Sequence, residues 1–244
     1  MLKVDNIAGH SYVRDWLKPS PVVVDLGANA GLFSLAAIRE YGARVYAAEA
    51  EPRLYESLRL LNHPKLRVRH AVLASREGNI ALNVWAGRCP SVFGELYAGE
   101  HAQVSILPTT TLSDFLEAFR LREVDLMKVD IEGSELEVLG HASDHTLLTV
   151  KQITVEFHEF LYPDMHAAIE ALKSRFRRLG FYVLDFSGVN GDVLLINPDI
   201  PVGTLTSIYL QGVKYKRGLV RRLARVVKSA RPSAARNERT RITA

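Results

Sequence analysis

Val22-Val23-Val24-Asp25-Leu26-Gly27-Ala28-Asn29-Ala30-Gly31 is the stretch that decides the fold. A β-branched run flanked by turn formers reads as a buried parallel strand, and the two glycines let the backbone turn sharply and approach a ligand without a Cβ between them. Downstream, strands and helices alternate as in βαβ units. A helix is expected over Leu32 to Tyr41, closed by Gly42, then a strand over Arg44 to Glu49 and a helix over Pro52 to Leu61 with proline in its first turn. A third strand is expected over Leu66 to Val72, followed by an irregular excursion, Ser75 to Pro108, with strand-like alternation at Ile80 to Trp85 and a Gly-rich part from Ala86 to Glu100. Helices over Leu112 to Phe119, Gly133 to Leu139 and Pro163 to Leu179 then alternate with strands at Val124 to Val129 and Gln152 to Phe157. Tyr182 to Phe186 and Val193 to Ile196 read as a hairpin around Ser187 to Asp192, which makes the last strand antiparallel.

The 244 residues are 48% hydrophobic and 24% charged, ordinary values for a globular protein, and exclude a disordered or collagen-like chain. A lone cysteine, Cys89, forms no intrachain disulfide or cysteine zinc cluster. No apolar run spans a membrane and Met1 to Ser20 lacks a secretory signal pattern, so a cytoplasmic protein is expected. After Gly212 eleven basic residues face one acid, a local charge of +10 that leaves −6 on the rest of a chain totalling +4. The basic balance thus belongs to a tail, and nucleic acid is not the expected partner of the body. The expected organisation is an exposed lead-in (1–20), one domain (21–211) and a tail (212–244). In the tail Leu219, Val220, Leu223, Val226 and Val227 recur at helical spacing opposite Arg221, Arg222, Arg225 and Lys228. Such a helix suits an anionic membrane surface, its own domain or a partner subunit, and Arg231 to Ala244 is expected to be disordered.

In an open α/β sheet the loop after the first strand floors the ligand crevice. Its glycines are four apart rather than in the G-x-G-x-x-G spacing of a dinucleotide site, and no Walker lysine follows. Asp25 repels a pyrophosphate and suits a cationic amino-acid moiety, directly or through water. S-adenosylmethionine, which joins an α-amino group to adenosine, fits; the bland alternative is a tight turn. Glu49 ends the second strand, where an acid accepts ribose hydroxyls, and its spacing of 18 from Gly31 is close to the expected interval of about 20. His70, Ala71 and Val72 would lie near the adenine.

Two further stretches carry a resemblance: Asp125-Leu126-Met127-Lys128-Val129-Asp130-Ile131-Glu132-Gly133-Ser134-Glu135-Leu136-Glu137-Val138-Leu139 and Ile153-Thr154-Val155-Glu156-Phe157-His158. With the glycine loop, they resemble the FkbM-type methyltransferases over roughly Val22 to Pro198. The resemblance implies an α/β fold of the class I methyltransferase, Rossmann-like kind: a mostly parallel seven-stranded sheet with an antiparallel last strand and helices on both faces. It also implies S-adenosylmethionine as cofactor and methylation of a hydroxyl on a sugar, glycan or polyketide-type metabolite. Asp25, Gly27, Ala28, Asn29 and Gly31 fall in the cofactor loop, with Glu49 as the ribose acid and Ala71 at the adenine. The family usually has a proline after that acid, whereas this chain has Ala50.

Methyl transfer to oxygen needs positioning and removal of the hydroxyl proton. Lys128, Asp130 and Glu132 alternate along one strand end and share a face while extended, as do Glu156 and His158 on the next. His158, with an ordinary pKa near 6.5, is the expected general base, Asp130 the second candidate, and Glu132 completes the catalytic set. The competing structural readings are a buried Lys128–Glu156 ion pair and a helix-dipole role for Glu132. A divalent cation on Asp130, Glu132 and His158 suits mixed oxygen and nitrogen ligands, although the spacing does not demand it. His141 and His145 read as surface or packing residues. RNA methylation and a catalytically silent cofactor-binding scaffold stand as alternative functions.

Overall fold

The structure is a computed structural model that describes residues 2–85, 88–91, 103–159, 163–187 and 190–229. It opens on a hairpin, β1 (Val4–Ile7) and β2 (His10–Val13), turned through Ala8 and Gly9 with φ of 50° and 98°. This corrects the expectation of an exposed lead-in, because His10, Ser11, Tyr12 and Val13 are all buried. The hairpin is tied to the body by side chains rather than by a sheet ladder. The Val13 N–H donates to Gln152 Oε1 (2.8 Å) and the Gln152 amide donates back to Val13 O (3.0 Å). Ser11 donates through its N–H and its hydroxyl to the two oxygens of Asp192, at 2.9 and 2.6 Å.

The chain then enters β3 (Val22–Leu26), α1 (Leu32–Tyr41), β4 (Arg44–Glu49), α2 (Pro52–Leu60) and β5 (Leu66–His70). Pro52 starts α2 beside Glu51, whose carboxylate accepts the Leu54 N–H at 2.6 Å, a charge-assisted cap. The expected third strand is broken at Ala71: its last part, β6 (Val72–Leu73), leaves for a second sheet. The expected irregular excursion is largely that sheet, built by β7 (Gly78–Trp85), β8 (Arg88–Ser91) and β9 (Gln103–Thr110) in the order β6-β9-β7-β8. Within the Gly-rich part, residues 86–87 and 92–102 lie outside the described residues.

α3 (Leu112–Ala118), capped by Thr111, leads to β10 (Leu126–Val129), α4 (Glu135–His141), α5 (Asp144–Leu148) and β11 (Gln152–Val155). α4 starts two residues later than the sequence suggests, since Glu132 and Gly133 take φ of 53° and 104°, outside the helical region. A 3-10 turn at Pro163–Met165 precedes α6 (His166–Arg178), then β12 (Tyr182–Asp185), β13 (Val193–Ile196) and α7 (Thr204–Ser229). The boundary between domain and tail expected from sequence, 211/212, falls inside α7, whose Leu210 is fully buried against the hairpin side of the core.

The main sheet has seven strands in the order β12-β13-β11-β10-β3-β4-β5, and only β13 runs antiparallel to its neighbours. Side-chain alternation splits its core in two. Val24, Met127, Ile153 and Leu195 face α3, α4 and α6, while Val23, Leu126, Leu194 and Ile196 face α1, the hairpin and α7. Helices therefore cover both faces. The strand order reverses between β3 and β10, and a crevice opens outside their carboxyl ends. No described helix is long and apolar enough to cross a membrane. The stretch from Arg231 to Ala244 lies outside the described residues.

Gly31 precedes α1 with φ +78°, and an added Cβ would lie 2.6 Å from Leu58 Cδ2 of α2. Replacement by alanine is expected to lower stability by about 1–2 kcal/mol from the left-handed backbone alone, read as a reduced midpoint in urea unfolding.

Candidate active site

Gly27 and Asp130 meet at the switch point. Gly27 adopts φ +79°, and a Cβ there would sit 1.8 Å from the Asp130 carbonyl, so no other residue fits this crossing. The Asp130 N–H donates to Leu26 O (3.1 Å), and the Gly27 and Ala28 N–H groups both donate to Ala48 O at 3.0 Å. β10, β3 and β4 are thus stitched together where their strands end.

Under this crossing lies Lys128, a buried ammonium 3.2 Å from Asp25 Oδ1 and 3.4 Å from Asp130 Oδ2 that donates to Gly27 O at 2.6 Å. Burial works against its charge, but Asp25 and Asp130 outweigh burial and raise its pKa. This replaces the Lys128–Glu156 pair considered from sequence. Asp25 has a fully buried side chain whose second oxygen accepts the Ser34 hydroxyl at 2.6 Å. It therefore supports the loop from below, and of the two routes to a ligand's amino group that its charge allowed, the direct one is closed. Gly31 and Ala28 likewise serve packing: Gly31 against Leu58, and Ala28 in a small cluster with Ala47 and Leu58.

Above the crossing is an open cleft of about 590 Å³, solvent included, bordered by Gly27, Asn29, Glu49, Ala71, Asp130 and Glu132 among others. Each oxygen of Glu49 accepts one backbone N–H, Oε2 from Asn29 at 2.6 Å and Oε1 from Glu51 at 2.8 Å. A lone pair remains on each oxygen. Burial raises the Glu49 pKa, and the two N–H donors partly offset it. His70 turns aside, stacked on Tyr55 with ring centroids 4.7 Å apart and with Nε2 3.0 Å from Ala50 O.

Around Asp130 and Glu132, which also border the cleft, the expected catalytic residues converge. His158 Nε2 lies 3.3 Å from Glu132 Oε2 and 3.9 Å from Asp130 Oδ1, while Nδ1 lies 3.0 Å from Glu135 Oε1. Glu135, at the start of α4, reaches back to accept the N–H groups of Ile131 (2.9 Å) and Gly133 (3.1 Å). It thereby holds the left-handed Glu132–Gly133 turn and the imidazole together. Burial disfavours the imidazolium, yet Glu132 and Glu135 outweigh it and push His158 up to about 10. The carboxylates therefore favour the imidazolium, where the sequence reading took the ordinary value near 6.5. Asp130 shows the reverse. Burial favours its neutral form, but His10, Lys128 and His158 hold it at about 2. Glu156 is raised by burial and then by Asp130.

Sequence reasoning missed His10 and Glu135. His10, 1% exposed, comes from the hairpin and points Nε2 at Asp130 Oδ2 (3.5 Å) and Glu156 Oε2 (4.0 Å). No local sequence signal marks it. Glu135 lay inside the quoted motif, but its backward reach depends on the turn before it.

A model described as the methyltransferase FkbM domain matches residues 25–183. The chain belongs to the FkbM methyltransferase family. Family and fold imply use of S-adenosylmethionine. This FkbM-family chain is 29% identical over 198 residues to Methyltransferase sdnD of Sordaria araneosa, covering 66% of this chain and 76% of that protein. It is 28% identical over 206 residues to the 31-O-demethyl-FK506 methyltransferase FkbM of Streptomyces tacrolimicus, covering 69% and 75%. Among solved structures, the METTL16 methyltransferase domain aligns at 12% identity and TM-score 0.43 over 74% of this chain and 62% of that one, less than two thirds of its length.

The cleft suits this cofactor on its own chemistry. Carboxylates of Glu49, Asp130 and Glu132 border it and, among the described residues, no lysine or arginine does, a lining that favours cationic groups over a pyrophosphate. For a divalent cation, Asp130, Glu132 and His158 bring ligand atoms within 4.8 Å of one another, as do His10, Asp130 and Glu156. A metal would have to displace a proton that His158 holds up to about 10.

The raised His158 pKa contributes stability that is complete below its unfolded value of about 6.5 and is lost as pH climbs to about 10. The stability difference between wild type and His158→Gln is expected to shrink across that interval in pH-dependent urea unfolding; a difference flat with pH would contradict the carboxylate-bound imidazolium.

Proposed function

We propose that this chain is an S-adenosylmethionine-dependent O-methyltransferase acting on a hydroxyl of a sugar, glycan or polyketide-type metabolite. The observation that carries the reading is a single cleft bordered by a ribose-type acid, Glu49, and by Asp130 and Glu132, which the buried His158 joins from outside the lining. The name of the Streptomyces relative, which specifies an O-demethylated FK506, supports a hydroxyl acceptor. The anionic lining disfavours a phosphate-rich acceptor such as RNA.

Bound S-adenosylmethionine supplies an electrophilic methyl group on a sulfonium. Glu49 offers its two remaining lone pairs to the ribose hydroxyls, and Ala71 borders the adenine. Asp130 and Glu132 face the acceptor, accept its O–H and orient the oxygen for in-line attack. As that oxygen gains a methyl group its proton becomes far more acidic than a carboxylic acid, so a carboxylate as weakly basic as Asp130 suffices to take it. His158 acts as a fixed imidazolium that holds Glu132 and balances the carboxylates rather than as the base. Lys128 ties the glycine loop to Asp130, so that the two ends of the cleft keep their spacing. A divalent cation is not part of this mechanism.

Calorimetry with S-adenosylhomocysteine is expected to give one site, weakened at least about tenfold in Glu49→Gln through loss of a charged hydrogen-bond partner. Transfer of labelled methyl to a panel of glycans and macrolide-type alcohols should then place the label on oxygen; label on nitrogen or on RNA would overturn the reading. With an acceptor found, chelation by EDTA is expected to leave turnover unchanged. Loss of turnover restored by added magnesium would return the metal to the site.

A further inference from the structure

The hairpin that carries His10 lies outside residues 25–183, the stretch matched by the family model, yet it reaches the candidate site. His10 is 1% exposed, its ring edge stands on Phe33 (centroids 5.8 Å, 87°), and its Nδ1 has no hydrogen-bond partner. With nothing to accept a proton at Nδ1, the tautomer that places N–H at Nε2 is favoured, because Nε2 faces the oxygens of Asp130 and Glu156. The strand that carries it is held at Ser11 and Val13. Gln152 and Asp192 clamp β2 on either side of Tyr12 through four hydrogen bonds from residues 139 and 181 positions away in sequence. Asp130 Oδ2 therefore sits between two cationic or donor groups, Lys128 at 3.4 Å and His10 at 3.5 Å, while Oδ1 is the oxygen 3.9 Å from His158.

We infer that His10 is a positioning residue for methyl transfer: together with Lys128 it holds Asp130 Oδ2, so that Oδ1 is the oxygen presented to the acceptor hydroxyl, and docking of the N-terminal hairpin completes the reactive end of the cleft. The inference rests on the reading of Asp130 given above, and it separates two ends of one site. Cofactor binding depends on the loop and Glu49, neither of which His10 touches; turnover depends on the Asp130 geometry, which His10 sets. The charged groups around Asp130 are Lys128 on its own strand, Asp25 behind Lys128, Glu132 in the following turn, His158 and Glu156 after β11, and His10 from β2. His10 is the member of this set that the N-terminal segment delivers.

The test uses the full chain with His10→Phe, which fills the same space without a donor, and His10→Gln, which keeps an N–H near the Nε2 position. With the acceptor that wild type methylates in the panel, His10→Phe is expected to lose about 10²-fold in kcat, the scale of a misplaced reacting group, with KM and S-adenosylhomocysteine affinity little changed. His10→Gln should recover most of the loss. Carbon-13 NMR of the Asp130 carboxyl gives a second readout that needs no acceptor: its titration near 2 in wild type should move upward in His10→Phe and return toward 2 in His10→Gln. If no acceptor is found, the proposed function fails while this titration still decides the role of His10. A folded His10→Phe with wild-type kcat and unchanged Asp130 titration would overturn the inference, as would equal losses in both variants. Should His10→Phe not fold, His10→Asn, whose shorter amide stops short of Asp130, takes its place with the same expectations.

Discussion

Lys128 is the constraint on which the site depends. A buried ammonium is costly unless paired and hydrogen-bonded, and removing one partner of such a pair typically costs about 3–5 kcal/mol. Here it meets Asp25 from β3, Asp130 from the end of its own strand, and the carbonyl of Gly27. Those contacts fix the glycine loop relative to β10 at the point where the strand order reverses. Gly27 then brings the two backbones into a contact that a side chain would forbid. The cleft bordered by Gly27, Glu49, Asp130 and Glu132 is built around this one buried charge.

The electrostatic layout follows. Carboxylates border the cleft, and the charges that stabilise them, Lys128 and His158, are buried behind. A ligand therefore meets an anionic surface held in place by buried cations, a preorganised arrangement that resists reorientation when charge changes during reaction. Placed between Glu132 and Glu135, His158 has its imidazolium favoured and joins the two carboxylates into one frame.

Much of this was legible in the sequence. The Val22–Val24 run, the Arg44–Glu49 strand and the closing hairpin carry their own periodicity and turn chemistry, while the seven-stranded, mostly parallel sheet came from the family resemblance. Glu49, Asp130, Glu132 and His158 stood at strand ends, where their convergence could be anticipated. Other features depend on distant partners. β1 and β2 are four-residue strands rich in polar groups, and the buried β2 is held by Gln152 and Asp192, far along the chain. The charge on His158 depends on Glu135 reaching backward across a left-handed turn that no residue type announces. Asp25 reads as a ligand-facing acid in one dimension, and only the position of Lys128 and Ser34 turns it inward.

The most direct test is a crystal structure with bound S-adenosylhomocysteine. The account places the ribose hydroxyls on Glu49 and the sulfur toward Asp130 and Glu132, above the Gly27 crossing. A ligand bound elsewhere, or a cleft closed by side chains in its presence, would contradict it.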